Sequence, residues 1–250
     1  MNKEMLLVVI TAFLVSAGWA SSASAAMKGT PVDYRTCDLR DGKTIEDLNK
    51  VTAKFRAYAS KSNTEYAAWT LFPQYHTHQD YDLAWMGAWP DARSFGVSME
   101  GWMKDGKGLA AEFDQVMDCS SRHMMVASYP INAPAGVPQD GLWLFYGCDL
   151  NEGVSVPEAY EAHLEAGQAM KTMGSLSLSW MMVPGIGAAR EEPDYYFALA
   201  FYRYSDLGET MEMFTNKGGQ QARGKILNKV SSCGSPVLLD AVSVRAHDER

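Results

Sequence analysis

The sequence predicts an α+β fold, and three observations carry that prediction. First, the chain repeats itself: Cys37-Asp38-Leu39 recurs as Cys148-Asp149-Leu150, an offset of 148 − 37 = 111, which also takes Thr44 to Ser155, Trp69 to Trp180 and Pro73 to Pro184. From Ala84 to Ala198 the offset becomes 198 − 84 = 114, and it holds for Val116 with Val230 and Cys119 with Cys233. A short length difference therefore falls between Pro73 and Ala84, where a loop absorbs it. Second, each copy alternates β-branched and aromatic runs with capped helical segments, in the order β-α-β-β-α-β. Third, cysteines stand at matched ends of both copies.

The elements follow in chain order. Lys3 opens a short polar start, and Met5 to Ala17 is an apolar run too short to span a bilayer. The small residues Ser21 to Ala26 after it fit a secretory cleavage site, so residues 1–25 read as a signal peptide cut after Ala25 or Ala26. This predicts a periplasmic or secreted protein with no membrane span in its mature form. Residues 27–130 hold the first module. A strand over Val32 to Cys37 leads to a helix whose cap is Thr44 with Asp47 three residues on. Strands around Tyr66 to Phe72 and Asp82 to Trp89, a pair of short helices and a strand over Arg122 to Tyr129 complete it.

Residues 131–140 read as a linker, since Pro130, Pro134, Gly136 and Pro138 continue neither strand nor helix. The second module, 141–245, repeats the plan: a strand over Leu142 to Cys148, a helix capped by Ser155 with Glu158, and strands at Leu176 to Val183 and Tyr195 to Tyr204. Short helices and a strand over Pro236 to Arg245 close it, and residues 246–250 form a tail.

This order is the ferredoxin-like split βαβ. Two such modules in tandem resemble the dimeric α+β-barrel superfamily. The resemblance implies a pseudo-dimeric α+β barrel in which two sheets face each other, and a monomer able to form the whole barrel because the duplication replaces a dimer. It also implies binding of a small apolar or aromatic molecule. Members include cofactor-free monooxygenases, polyketide cyclases, haem-degrading enzymes, haem peroxidases and proteins with no known activity. Whether this chain is an enzyme, a cofactor-independent monooxygenase, cyclase or isomerase, and which cofactor it holds, stay open. So does a structural or partner-binding role.

Four cysteines in an exported chain read as a frame. Pairing Cys37 with Cys119 and Cys148 with Cys233 respects the repeat. Each bridge closes a long loop, for which chain-entropy models give about 4 kcal/mol. No C-x-x-C spacing points to a metal or a thiol catalyst.

Two places carry candidate chemistry. In extended chain His76, His78, Asp80 and Asp82 share one side, a ligand set suited to a transition metal, and the second copy has no histidine there. A polar loop without function is the alternative. The other place is the barrel. Along the third strand Leu83, Trp85, Gly87 and Trp89 share one face, and Ala84, Met86 and Ala88 the other. In the second copy Phe197, Leu199 and Phe201 oppose Tyr196, Ala198, Ala200, Tyr202 and Tyr204. The alanine faces meet across the barrel and either leave room for a ligand beside tyrosine hydroxyls or let the sheets approach. A cavity between sheet and helices, walled by Trp69, Trp85 and Trp89, is a second location.

The remaining features narrow the classes. His163 borders the core stripe of its helix and reads as a core histidine or an axial haem ligand. His123 and His247 show no partner. The 15 methionines sit at spacings of core filler, not of copper ligands. A formal charge of −8 without a basic stripe argues against nucleic acid. Gly185-x-Gly187 lacks a third glycine and a following helix, so it is no dinucleotide loop.

Overall fold

The computed structural model describes residues 27–62, 64–77, 80–134, 136 and 139–246. The expected signal peptide, His78, Pro138 and His247 lie outside the described residues. The elements are β1 (Thr30–Leu39), α1 (Ile45–Lys61), β2 (Ala67–Tyr75), β3 (Leu83–Ala88), α2 (Ala92–Asp105), α3 (Lys107–Asp114) and β4 (Met117–Asn132). They continue as β5 (Gly141–Leu150), α4 (Val156–Thr172), β6 (Leu178–Pro184), β7 (Tyr195–Phe201), α5 (Tyr204–Asn216), α6 (Gly219–Leu227), β8 (Ser231–Cys233) and β9 (Val237–Arg245). No helix of the described residues is long and apolar enough to cross a membrane.

The strands run β7-β6-β4-β1-β3-β2-β9-β5, and β5 pairs back onto β7, which closes an eight-stranded barrel with β8 outside it on β5. Two seams join the halves of the chain: β2 on β9, with Thr70 opposite Val242, and β4 on β6, with Ser128 opposite Met182. Closure satisfies edge amides and carbonyls that an open four-stranded sheet would leave exposed. The six helices pack outside. Leu48, Val51, Phe55 and Ala59 form the buried stripe of α1 at helical spacing, and Ala159, Tyr160, His163 and Ala166 that of α4. Both helices start at capping boxes, Thr44 with Asp47 and Ser155 with Glu158. Cys37 is bonded to Cys119 and Cys148 to Cys233, each bridge tying the first strand of one half to the strand after its last helix.

The strand period of two divides the core. Side chains pointing inward, among them Trp69, Ala84, Met86, Met124, Trp143, Met182 and Ala198, fill the barrel. Trp143 lies stacked between Trp180, at 4.9 Å between centroids, and Phe145, at 5.6 Å. Fully buried Ala84 and Ala198 make room for these rings. Outward side chains of the first half, including Trp85 and Trp89, meet α1 to α3 instead.

Two expectations about the chain path need correction. The strand beginning at Tyr195 ends at Phe201, because Tyr204 already opens α5 and Arg203 turns to bond Asp206 at 3.1 Å. The segment 131–140 does not start outside a strand: β4 runs through Pro130 to Asn132, and its register on β6 shifts at Pro130, the kind of irregularity where a strand tolerates proline. Between β2 and β3 the described residues His76, Thr77, Asp80, Tyr81 and Asp82 are not in a strand.

Candidate functional site

Between the outer face of β5, β6 and β7 and the helices α4, α5 and α6 lies a cleft of about 670 Å³. Each wall follows from local sequence. The capping box starts α4 with Glu158 accepting from the Ser155 amide at 2.8 Å, which phases His163, Ala166 and Met170 toward the sheet. Gly167 lets α4 sit close, since a Cβ there would lie 2.7 Å from the Ile131 side chain. Strand β7 contributes Phe197 and Leu199 from its outward positions, and α5 and α6 contribute Leu207 and Arg223. The lining is mostly apolar, with a small set of convergent polar groups, the composition of sites that hold small molecules.

One of those polar groups, His163, is tied to two buried hydroxyls behind the lining. His163 Nε2 lies 2.9 Å from Tyr195 Oη, and the Tyr195 hydroxyl donates to Ser231 Oγ at 2.6 Å. All three residues are buried. Burial, reinforced by the positive charge of Arg223, pulls the His163 pKa down to about 3, so the imidazole is neutral near pH 7. The ring also stacks on Phe197 at 4.6 Å. The Arg223 guanidinium stands over the rings of Phe197 at 5.0 Å, Tyr146 at 5.6 Å and Phe214 at 6.0 Å. With Nε2 committed to Tyr195, His163 does not offer a haem iron that nitrogen as an axial ligand, and the arrangement does not fit haem ligation through it.

Three smaller cavities surround the rest of the barrel. One mouth, about 240 Å³, holds Tyr34, Tyr81, Arg122 and Tyr196. Arg122 Nη2 donates to Tyr196 Oη at 2.9 Å and pairs with Glu192 at 2.5 Å, and the Tyr196 hydroxyl donates to the same carboxylate. Burial and that carboxylate push the Tyr196 pKa up to about 12. The opposite mouth, about 430 Å³, is walled by Trp69, Ala88, Trp143 and Trp180. The cleft of the first half is only about 190 Å³, because Phe55 packs edge to face with Tyr66, Trp85, Trp102 and Phe113, and Trp89 lies tilted on Tyr66. Its polar element is a buried relay: Trp85 Nε1 donates to Tyr66 Oη at 2.8 Å, Tyr66 donates to Asp33 at 3.1 Å, and Arg35 pairs with Asp33 at 2.6 Å.

The residues singled out in the sequence are thus dispersed. Ala84 and Ala198 lie inside the barrel, Ala88 and Tyr196 line opposite mouths, and Trp85 and Trp89 lie in the first cleft. Trp69 does not share that cleft, since it points into the barrel while its neighbour Ala68 faces the helices. Tyr202 and Tyr204 do not join the interior face: both are exposed beyond the end of β7, and Tyr204 donates to Asp240 at 2.6 Å on the rim of the large cleft. In the loop before β3, His76 and Asp80 are exposed, and Asp82 accepts from the Leu39 amide at 2.8 Å. Among the described residues no group of three or more His, Cys, Asp or Glu is placed to hold a metal ion. Tyr146 and Arg223 line the large cleft, with Tyr195 and Ser231 buried behind His163, and no short-range motif marks them.

No family model matches the sequence, and no curated protein matches it. Solved structures do match. A candidate monooxygenase from Lactobacillus acidophilus superposes at a TM-score of 0.54 with 8% identity, covering 88% of this chain and 96% of that one. A candidate monooxygenase from Fusobacterium nucleatum gives 0.54 with 8% identity over 88% and 95%. A candidate chlorite dismutase gives 0.53 with 12% identity over 87% and 96%. At such identities the likeness is one of fold, a closed eight-stranded α+β barrel.

Proposed function

We propose that the protein is an exported small-molecule-binding α+β barrel whose ligand, largely apolar or aromatic, occupies the cleft beneath α4, α5 and α6. The observation that carries this reading is the contrast between the two clefts, about 670 Å³ in the second half against about 190 Å³ in the first. Treating the halves as tandem ferredoxin-like copies explains the contrast. The strand orders β4-β1-β3-β2 and β9-β5-β7-β6 correspond, as do the two disulfides. At matched positions Phe55, Tyr66 and Trp85 of the filled cleft give way to Ala166, Ser177 and Leu199 of the open one. Smaller side chains at these positions leave the second cleft open where aromatic rings fill the first.

On the same reading the chain completes the barrel by itself and is a monomer. Export rests on the N-terminal pattern, and two disulfides suit an oxidising compartment. Should the cleft carry out chemistry, His163, tied through Nε2 to the buried Tyr195 hydroxyl, is the acid or base on its wall, and oxygenation, cyclisation or isomerisation of the bound molecule is the class of reaction.

Hydrogen–deuterium exchange with the neutral probe N-phenyl-1-naphthylamine tests the location. Slower exchange across α5 and α6 on binding is the expected result. Protection confined to segments of the barrel mouths, such as those around Tyr34 or Trp143, would overturn it.

A further inference from the structure

The cleft has a charge pattern unlike that of the chain as a whole. The protein carries a formal −8, yet the cleft lining holds Arg223 and Lys171 and no Asp or Glu. Lys171 is exposed at the rim, whereas Arg223 stands deeper, over the faces of Phe197 and Tyr146 at 5.0 and 5.6 Å. Among the described residues Arg223 makes no hydrogen bond and no ion pair, and its recorded partners are aromatic rings. A guanidinium held by ring faces keeps its in-plane N–H donors for an acceptor, and a planar fork of donors matches a carboxylate or a similar oxyanion. Asp240, at the rim, is already engaged by the Tyr204 hydroxyl at 2.6 Å. His163 adds no competing charge, since burial and Arg223 keep it neutral.

Arg223 is half-buried and none of its nitrogens is among the buried side-chain atoms without a partner, so its donors face the solvent of the cleft and are available to an incoming anion. We propose that the molecule taken by this cleft is an organic acid, its apolar body packed on Phe197, Leu199 and Leu207 and its single anionic group on Arg223. This deepens the reading of the cleft as the ligand site and rests on it. Aromatic and long-chain acids share the recognising chemistry: an apolar body that displaces water and an oxyanion that pairs with the guanidinium.

Two probes with one aromatic body separate the possibilities. 1-Anilinonaphthalene-8-sulfonate carries an anionic group, and N-phenyl-1-naphthylamine lacks it. Fluorescence titration of the full chain, with its disulfides intact, is expected to give a Kd for the sulfonate about tenfold tighter than for the neutral probe. In Arg223→Gln that preference is expected to fall below about threefold, while Arg223→Lys retains part of it. Equal affinities in the wild type, or a preference that survives Arg223→Gln, would overturn the acid assignment and leave the cleft as a neutral-ligand site. Failure of both probes to bind would overturn the cleft reading itself. If Arg223→Gln does not fold by circular dichroism, the comparison of the two probes on the wild type decides the matter.

Discussion

The imidazole Nε2 of His163, on α4, lies 2.9 Å from the phenol oxygen of Tyr195, on β7, and both side chains are buried. This contact fixes the helix to the sheet at the base of the cleft and sets a pH response. The unfolded chain takes up a proton near pH 6.5, whereas the native His163 resists it down to about 3, owing to burial and then to Arg223. Stability from this source is complete above the unfolded pKa and is lost as the pH falls toward the folded one, at roughly 1.4 kcal/mol per pH unit. In His163→Gln the difference in urea-unfolding free energy between about pH 6 and about pH 5 is expected to shrink by roughly 1 kcal/mol. An unchanged difference would mean that the imidazole titrates normally in the folded protein.

Tyr195 serves two partners, His163 at 2.9 Å and Ser231 at 2.6 Å. Removing its hydroxyl leaves buried polar groups on both α4 and β8 without that partner. Tyr195→Phe is therefore expected to cost about 1–3 kcal/mol by denaturant unfolding, despite adding no strain. Loss of under a few tenths of a kcal/mol would show that water replaces the bond.

In the first half, Gly87 lies directly beneath the Tyr66 hydroxyl and the Asp33 carboxylate, and a Cβ there would overlap both. Burial alone would raise the Asp33 pKa, but His123 and Arg35 beside it hold the carboxyl below its usual value. Gly87→Ala must push Tyr66 off this charged partner. A loss of about 3 kcal/mol and a lower melting temperature are the expected outcome. Wild-type stability in this variant would show that β3 shifts freely.

Both capping boxes, the disulfide pairing and the inward alanine faces were legible because each depends on local period, cap chemistry or the internal repeat. The end of β7 was not, because an apolar and aromatic run through Tyr204 looks like strand until Arg203 turns to Asp206. Nor was the cleft. Arg223 comes from α6, Tyr195 from β7 and His163 from α4, elements far apart in sequence that meet only when the second half folds. One sequence signal was available: the aromatic-to-small changes from Phe55 to Ala166 and from Tyr66 to Ser177 at matched offsets.

The disulfides brace each half across separations of 82 and 85 residues. Opening the second with Cys148→Ser and Cys233→Ser together is expected to lower stability by about 4 kcal/mol, since the unfolded chain regains its loop entropy. Urea unfolding of the double variant beside the wild type checks this. An unchanged midpoint would show that the bridge constrains nothing the barrel does not already hold.

The most direct test of the central claim is to refill the cleft with the residue that fills its counterpart. Ala166→Phe places a phenyl ring where α4 faces β7, in the way Phe55 faces β3 in the first half. Titration with N-phenyl-1-naphthylamine is expected to show at least about tenfold weaker binding in this variant, with the circular dichroism spectrum unchanged. Undiminished binding in a folded Ala166→Phe protein would place the ligand elsewhere and contradict the account.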